Sequence, residues 1–94
     1  MFYMQSGNFV TEDEAWLMLA IAVVNQAQFD YESAMMAYKK NPHDYISRDR
    51  AAEYERFFLS DFGQALSFGH GEGIVAQCKR HVAAGRVVKR SNTI

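Results

Sequence analysis

The stretch TEDEAWLMLAIAVVNQAQFDYESAMMAYKK, residues 11–40, decides the fold because it predicts one long helix. Thr11 and Glu14 have the spacing of a capping box, in which the threonine hydroxyl accepts from a first-turn amide and the glutamate reaches back to the cap. No Gly or Pro interrupts the sequence before Pro42, so nothing breaks a helix from about residue 12 to residue 40.

The charges at both ends of this stretch favour the same helix. Its first turn carries three acids at residues 12–14, and its last turn ends on Lys39 and Lys40, which matches the polarity of the helix dipole. At 1.5 Å per residue the helix is about 43 Å long, which exceeds the width expected of a compact domain of this size. This length bears on how the protein assembles.

The segment from Ala15 to Val24 is apolar on every side of the predicted helix. A helix of this kind is buried on more than one side, and short helices can cover one of them. We expect the other side to meet a second copy of the chain, in a homodimer or a higher homo-oligomer. The interface residues that we predict are Trp16, Leu17, Ile21, Val24, Tyr31 and Tyr38.

Two or three shorter helices are predicted after the long one, at about residues 44–59, 61–67 and 72–84. Asn41 followed by Pro42, or alternatively Ser47, would begin the first of them. Ser60 would cap the second, and Gly85 would end the last in the left-handed conformation.

The fold class that follows is all-α, with a single helical domain over residues 1–94. An apolar fraction of 49% is high for 94 residues and indicates a folded globule, with apolar surface left over for self-association. Residues 86–94 are predicted as a short strand or a flexible basic tail. Residues 1–10 are the only other candidate strand.

The sequence predicts a soluble, cytoplasmic protein. The single cysteine, Cys78, excludes an internal disulfide and indicates a reducing compartment. The N-terminal residues have no charged region of the kind that begins a signal peptide. The longest apolar run, from Ala15 to Val24, is ten residues, whereas crossing a bilayer takes about 20.

The charges are unevenly distributed along the chain. Residues 1–38 hold five acids and no Lys or Arg, whereas residues 73–94 hold five bases and no acid. This asymmetry suits an anionic ligand at one end, a pairing of the two ends within or between subunits, or a solvated basic tail. It does not indicate direct DNA binding.

The runs NQAQFDYESAMMAYKKNP and AAEYERFFLSDFGQALSFGHGEGIVAQCKR together resemble a family of short helical proteins from phages and mobile elements of Gram-positive bacteria. The resemblance covers about residues 25–80. The matching residues are Gln26, Ala27, Asp30, Tyr31, Asn41, Pro42, Glu55, Phe57, Phe58, Ser60, Phe62, Leu66, Gly71 and Glu72. The chain departs from the family in its first ten residues and at Gly73, where the family tends to carry an aromatic residue. The resemblance implies a helical fold, a phage setting in a bacterial host cell and action by binding, with no assigned chemistry.

The segment SFGHGEG, residues 67–73, has two interpretations. Glycines before a helix can expose amide N–H groups to an anion such as a nucleotide phosphate, with Gly71, Gly73, Lys79, Arg80 and Arg86 as the candidate ligand-binding residues. However, no β-strand pattern precedes the segment, as a dinucleotide fingerprint or a P-loop requires. Glu72 would also repel an anion, so we expect a structural bend first and an anion site second.

Catalytic and metal-binding patterns are weak. Cys78 and His81 lie one turn apart, with His70 or Glu72 as a third ligand, but no paired Cys or His motif accompanies them. Neighbours one turn apart on a helix also rarely serve a shared substrate as nucleophile and base. We therefore predict no metal, no cofactor, no catalytic residues and no enzymatic activity.

The aromatic side chains, 14% of the chain, separate into two groups. Phe57, Phe58 and Phe62 are predicted to lie in the core. The tyrosines of the first two helices are predicted either as helix-crossing contacts or as interface anchors: Tyr31, Tyr38, Tyr45 and Tyr54.

Two functions follow as expectations. The first is a small phage-type binding protein that inhibits a host defence system stoichiometrically, either by sequestering a nucleotide signal at a subunit junction or by docking on a nucleic-acid enzyme. The alternative is a structural or assembly homo-oligomer with no ligand.

Overall fold

The computed structural model describes residues 11–85, which form four α-helices and no β-strand within that range. The helices are α1 Glu12–Lys40, α2 Tyr45–Leu59, α3 Asp61–Leu66 and α4 Gly71–Ala83. The predicted all-α fold, with a long first helix packed against shorter ones, is confirmed. The predictions for residues 1–10 and 86–94 lie outside the described residues.

The predicted start and end of α1 are confirmed. The Thr11 hydroxyl accepts from the Glu14 amide at 3.1 Å, and the Thr11 amide donates to the Glu14 carboxylate at 3.1 Å, which completes the capping box. At the other end, α1 stops where Asn41 becomes extended while its amide still donates to the carbonyl of Ala37.

The first residue of α2 is set by a cap that the sequence did not reveal. Asp44 is the N-cap: its carboxylate accepts from the Ser47 amide at 3.0 Å and from the Ser47 hydroxyl at 2.7 Å. These hydrogen bonds lower the pKa of the Asp44 carboxyl below its ordinary value. The predicted caps at Asn41 and Ser47 are therefore wrong, because the Asn41 side chain accepts from the His43 amide in the preceding turn at 3.1 Å.

The antiparallel pairing of α1 and α2 follows from the short connector between them. Phe57 near the end of α2 lies beside Val23, whereas Ser47 near its start lies beside Ala37. Helix α4 runs in the same direction as α1: its Ile74 lies near Val24, and the Lys39 ammonium at the end of α1 donates to the Val82 carbonyl at 2.9 Å.

The core lies where α1 meets the other three helices. Its buried members are Ala20, Val24, Ala27, Tyr31, Phe58, Leu66, Val75 and Cys78. Tyr31 is only 1% exposed, and Val24 is buried with it. The interface prediction is corrected for these two residues, since the shorter helices of the same chain already cover them.

The prediction for Phe62 is wrong in the opposite sense, because this residue is exposed rather than buried. The sequence predicts it in the core, but 61% of its surface is exposed. The predicted cap at Ser60 is confirmed, since its hydroxyl accepts from the Gly63 amide at 3.1 Å. Phe62 is the second residue of α3, and its ring rests against Phe57 at a centroid distance of 6.2 Å on the outer side of the core.

Two helix termini depend on glycine. Gly71 opens α4 directly against α2, so that a Cβ atom at this position would collide with the Phe58 carbonyl. Gly85 follows α4 with φ of 79°, the left-handed conformation that the sequence predicts there.

We predict opposite effects for two alanine substitutions two residues apart, on opposite sides of α4. Gly71→Ala forces α2 and α4 apart and should lower the free energy of unfolding by about 1–3 kcal/mol. Gly73→Ala meets nothing within 4 Å and should raise it by about 0.5–1 kcal/mol, since alanine favours the helix. Urea unfolding of both variants and the wild type measures the difference. Equal stabilities would show that Gly71 does not hold the two helices together.

Candidate functional site

The first two turns of α1 extend beyond the other three described helices. Ala20 is the first residue of α1 that is buried in the core, and the residues of α1 that line the surfaces shared with α2 and α4 begin at Ala22 and Ile21. Residues 12–19 precede both points, and all eight are exposed. We call residues 12–19 the projecting end; at 1.5 Å per residue it is about 12 Å long.

The projecting end carries large apolar side chains in consecutive positions. Trp16, Leu17, Met18 and Leu19 are between 43% and 61% exposed. Because consecutive residues on a helix point in different directions, they give the projecting end an apolar surface on nearly every side. Single exposed apolar residues are ordinary in proteins, but a contiguous exposed patch indicates an interaction site. The predicted interface residues Trp16 and Leu17 are thus partly exposed on this patch.

The two sides of the projecting end continue two different surfaces of the folded body. Trp16 and Leu19 align with Val23 along the side of α1 that faces α2, at helical spacings of three and four. Leu17 aligns with Ile21, which is exposed next to α4. The other predicted interface residue, Tyr38, is at the opposite end of α1 and 37% exposed. The structure therefore groups Trp16, Leu17 and Ile21 and leaves Tyr38 apart.

A groove of about 600 Å³ lies between α1 and α2, and we call it the α1–α2 groove. Its apolar part is formed by Ala22, Val23, Ala27 and Phe57. Its polar part is formed by Gln26, Asp30, Arg50, Glu53 and Tyr54. A volume of this size is in the range of small-molecule and side-chain pockets. The sequence did not predict this groove, because no residue in it belongs to a motif.

The polar part of the groove contains three charged side chains, Asp30, Arg50 and Glu53, of which only Asp30 has hydrogen-bond partners within the groove. The Asp30 carboxylate accepts from the side-chain amide (Nε2) of Gln26 at 3.0 Å and from the Tyr54 hydroxyl at 3.2 Å. Arg50, by contrast, forms no ion pair with any described residue. The Arg50 guanidinium is therefore available to an anionic group that enters the groove.

A buried polar cluster joins α1 to α4. The Glu32 side chain has no exposed surface, and its carboxylate lies 3.0 Å from Nδ1 of His81. Burial, followed by a hydrogen bond to Glu32, raises the pKa of the Cys78 thiol to about 12. The sequence analysis missed Glu32. The one available signal was that His81 lies on the apolar side of the last predicted helix, where a histidine needs a polar partner.

The described residues contain no group of three or more side chains placed to hold a metal ion. His70 lies next to Ile21 and Ile74, whereas Cys78 and His81 face Glu32. The candidate ligands are thus distributed over two parts of the molecule.

The glycine segment is engaged within the chain. The amides of Gly69 and His70 donate to the carbonyls of Gln64 and Ser67, and the Gly71 amide donates to the Gln64 side chain at 3.1 Å. These bonds use three amides of the segment within the chain, which favours the bend.

The predicted basic ligands lie away from that bend. Lys79 is eight residues further along α4, about 12 Å away along the axis, and its ammonium pairs with Glu55 at 3.5 Å. Gly73 and Arg80 are exposed. Arg86 lies outside the described residues.

The tyrosines divide between core and surface. The Tyr31 hydroxyl donates to Glu55 at 3.2 Å, and burial, followed by the charge of Glu55, raises the pKa of Tyr31 above its ordinary value. Tyr45 is exposed, with the Arg48 guanidinium 4.8 Å above its ring. Tyr31 and Tyr54 thus act as helix-crossing contacts, while Tyr45 stays on the surface.

Comparisons of the chain with protein-family models, with curated proteins and with solved structures give no match. Among the described helices, none has the length and apolarity that crossing a membrane requires. The physical properties of the projecting end, the α1–α2 groove and the buried cluster are therefore the observations on which a function must rest.

We predict that Cys78 reacts with thiol reagents only after unfolding. The side chain is fully buried, and with a pKa of about 12 only about one thiol in 10⁴ is ionised at pH 8. Mass spectrometry after maleimide treatment, with and without urea, measures the reaction. An Ala76→Cys variant adds an exposed cysteine on the same helix and should be labelled once under native conditions. Prompt labelling of native wild-type protein would contradict the burial of Cys78.

The same pKa shift predicts a dependence of stability on pH. Because folding raises the pKa of Cys78 from 9.0 to about 12, its contribution is fully present below pH 9 and is lost as the pH rises towards 12. Tyr31 acts in the same direction. We therefore expect the free energy of unfolding to fall above pH 9, and less steeply in a Tyr31→Phe variant. Urea unfolding at pH 8, 9, 10 and 11 tests this, because Tyr31 contributes only above its ordinary pKa of 10.0; a flat profile would argue against the shift.

Proposed function

We propose that this protein is a non-enzymatic binding protein that acts as a homo-oligomer, assembled through the projecting end of α1. In this proposal it associates stoichiometrically with its target rather than converting a substrate. The observation that carries the proposal is the row of exposed apolar side chains at residues 16–19.

The free energy gained by burying the apolar side chains of the projecting end favours assembly. Burial of apolar surface stabilises by about 25 cal/mol per Å², or about 1.5–3 kcal/mol for a fully buried leucine or methionine side chain. Four such side chains, partly exposed in one chain, gain this energy when a second copy covers them. Part of it is offset by the lost freedom of two separate molecules.

The state of the buried titratable groups supports binding rather than turnover. The Cys78 thiol, with a pKa of about 12, is a poor nucleophile at neutral pH. Glu32 is buried against His81 rather than placed at the surface of a cleft. Both contacts connect helices, which is a structural use of these residue types.

The resemblance of residues 25–80 to phage proteins supplies the biological part of the proposal. Small phage proteins often work against a host defence by binding, and we propose that this protein inhibits such a system. Docking on a nucleic-acid enzyme is the mode we favour over sequestering a nucleotide, since the amides of the glycine segment are used within the chain.

We predict that charges on the projecting end abolish assembly. The double variant Leu17→Glu with Leu19→Glu places carboxylates on both sides of the projecting end, so burying it would require burying charge. Native mass spectrometry should show an oligomer for the wild type and a monomer for the variant. Ile46→Glu is the matched control, because Ile46 is a 73% exposed apolar residue at the other end of the molecule.

The same spectra, recorded with cyclic and linear nucleotides, test the nucleotide mode. A bound nucleotide that is lost in the double variant Lys79→Ala with Arg80→Ala would establish that mode in place of protein docking. A wild-type protein that remains monomeric at about 100 μM, well above typical dimer dissociation constants, would reject the proposed homo-oligomer. Plaque counts on a host carrying the defence system, with and without the Leu17/Leu19 variant, test whether inhibition needs the assembled form.

A further inference from the structure

We propose that the projecting end of each copy lies in the α1–α2 groove of a second copy, with Glu12 against the partner's Arg50. The result is a two-fold symmetric dimer in which the long helices run antiparallel. This inference rests on the proposed homo-oligomer and specifies the contact that forms it.

The projecting end and the groove belong to one continuous side of α1. Along that side the spacings alternate between four and three residues, and the series comprises Glu12, Trp16, Leu19, Val23, Gln26 and Asp30. An alternation of this kind is the seam of a helix that packs lengthwise against another helix. The first three members lie on the projecting end, and the last three line the groove.

Two-fold symmetry follows from that arrangement. In a symmetric dimer, if a residue of one copy contacts a site on the partner, the reverse contact also forms. When two seams of this kind meet antiparallel, the projecting end of each helix runs along the groove half of the other. Each copy therefore both fills a groove and has its own groove filled.

The distance between the charged residue and the apolar residue is the same on the projecting end as on the α2 wall of the groove. Glu12 and Leu19 are seven residues apart on α1, and Arg50 and Phe57 are seven residues apart on α2. At 1.5 Å per residue each separation is about 10.5 Å along its helix. A projecting end that places Glu12 at the partner's Arg50 therefore places Leu19 at the partner's Phe57.

The order of apolar and polar residues along the groove agrees with the antiparallel pairing. The apolar part of the groove lies towards the N-terminal end of α1, and its polar part lies further along α1 near Asp30. An antiparallel partner enters with its acidic first turn towards the polar part and its leucine towards the apolar part. A parallel partner would place its acids against Val23 and Phe57 instead.

The charges of the groove favour an acidic occupant at one position and oppose it at another. Arg50 forms no ion pair with a described residue and attracts an acidic turn, whereas the Asp30 carboxylate, which accepts only from the neutral side chains of Gln26 and Tyr54, repels it. Glu53 faces the same groove and repels an acidic helix turn. The proposal therefore makes opposite predictions for these two neighbours on α2.

The test is the dimer dissociation constant, measured by analytical ultracentrifugation of the full chain. Arg50→Glu should weaken the dimer by at least about tenfold, because it places two acids together. Combining it with Glu12→Arg should restore most of the affinity, since the pair is then reversed. Glu53→Gln should strengthen the dimer. Arg56→Glu is the matched control: Arg56 is exposed on α2 outside the groove and should leave the constant unchanged.

A second pair of variants identifies which side of the projecting end contacts the partner. Leu19→Glu should weaken the dimer more than Leu17→Glu, since only Leu19 lies on the seam. A dimer that survives both Arg50→Glu and Leu19→Glu, yet is lost in Leu17→Glu, would overturn the groove contact and leave the proposed homo-oligomer intact. Failure of Glu12→Arg to rescue Arg50→Glu would also overturn the contact. A monomeric wild type would reject both proposals.

Discussion

The structure depends on one constraint: α1 is longer than the helices that pack against it. It has 29 residues, whereas α2, α3 and α4 have 15, 6 and 13. The capping box at Thr11 and Glu14 fixes where α1 begins, and no helix-breaking residue stops it before Asn41. Since the connector after α1 returns the chain immediately, α2 pairs with the C-terminal part of α1 and ends before reaching its first turns. The apolar sequence at residues 15–19 is thus extended past the core by the geometry of the connector.

Polar contacts between helices set how the shorter helices lie along α1. Glu32 and Lys39 of α1 contact α4. The Glu32 carboxylate lies 3.0 Å from Nδ1 of His81, and the Lys39 ammonium donates to the Val82 carbonyl at 2.9 Å. Asp30 of α1 contacts α2, because its carboxylate accepts a hydrogen bond from the Tyr54 hydroxyl at 3.2 Å. Breaking one member of a buried pair leaves the other without a partner at a cost of about 1–3 kcal/mol or more. Sliding α2 or α4 by one turn would break such contacts, so they keep the register that leaves the first two turns of α1 free.

The sequence predicted the helices better than the contacts between them. Periodicity and capping are local properties, and the limits of α1, the Ser60 cap and the Gly85 terminus were all predicted from them. The assignment of residues to core or surface was less reliable. Val24, Ile21 and Tyr31 were all predicted as interface residues, and only the position of α2 and α4 decides that Ile21 is exposed while the other two are buried. Phe62 was predicted to be buried because of its residue type, although α3 turns it outwards.

The projecting end also connects folding with association. Two turns of helix gain little stability by themselves, because a short helix pays the cost of nucleation with few hydrogen bonds. Here the capping box and the acids at the positive end of the dipole offset part of that cost, while Trp16 and Leu19 remain about half exposed, at 49% and 55%. In the proposed dimer a partner covers these side chains, and it then stabilises the helical state of these residues as well as the complex. The groove beside Val23 lies on the same side of the same helix, so in the proposed dimer the copy that covers the projecting end also presents its own. In that dimer the unequal lengths of α1 and α2 account both for the exposed surface and for the site that accepts it.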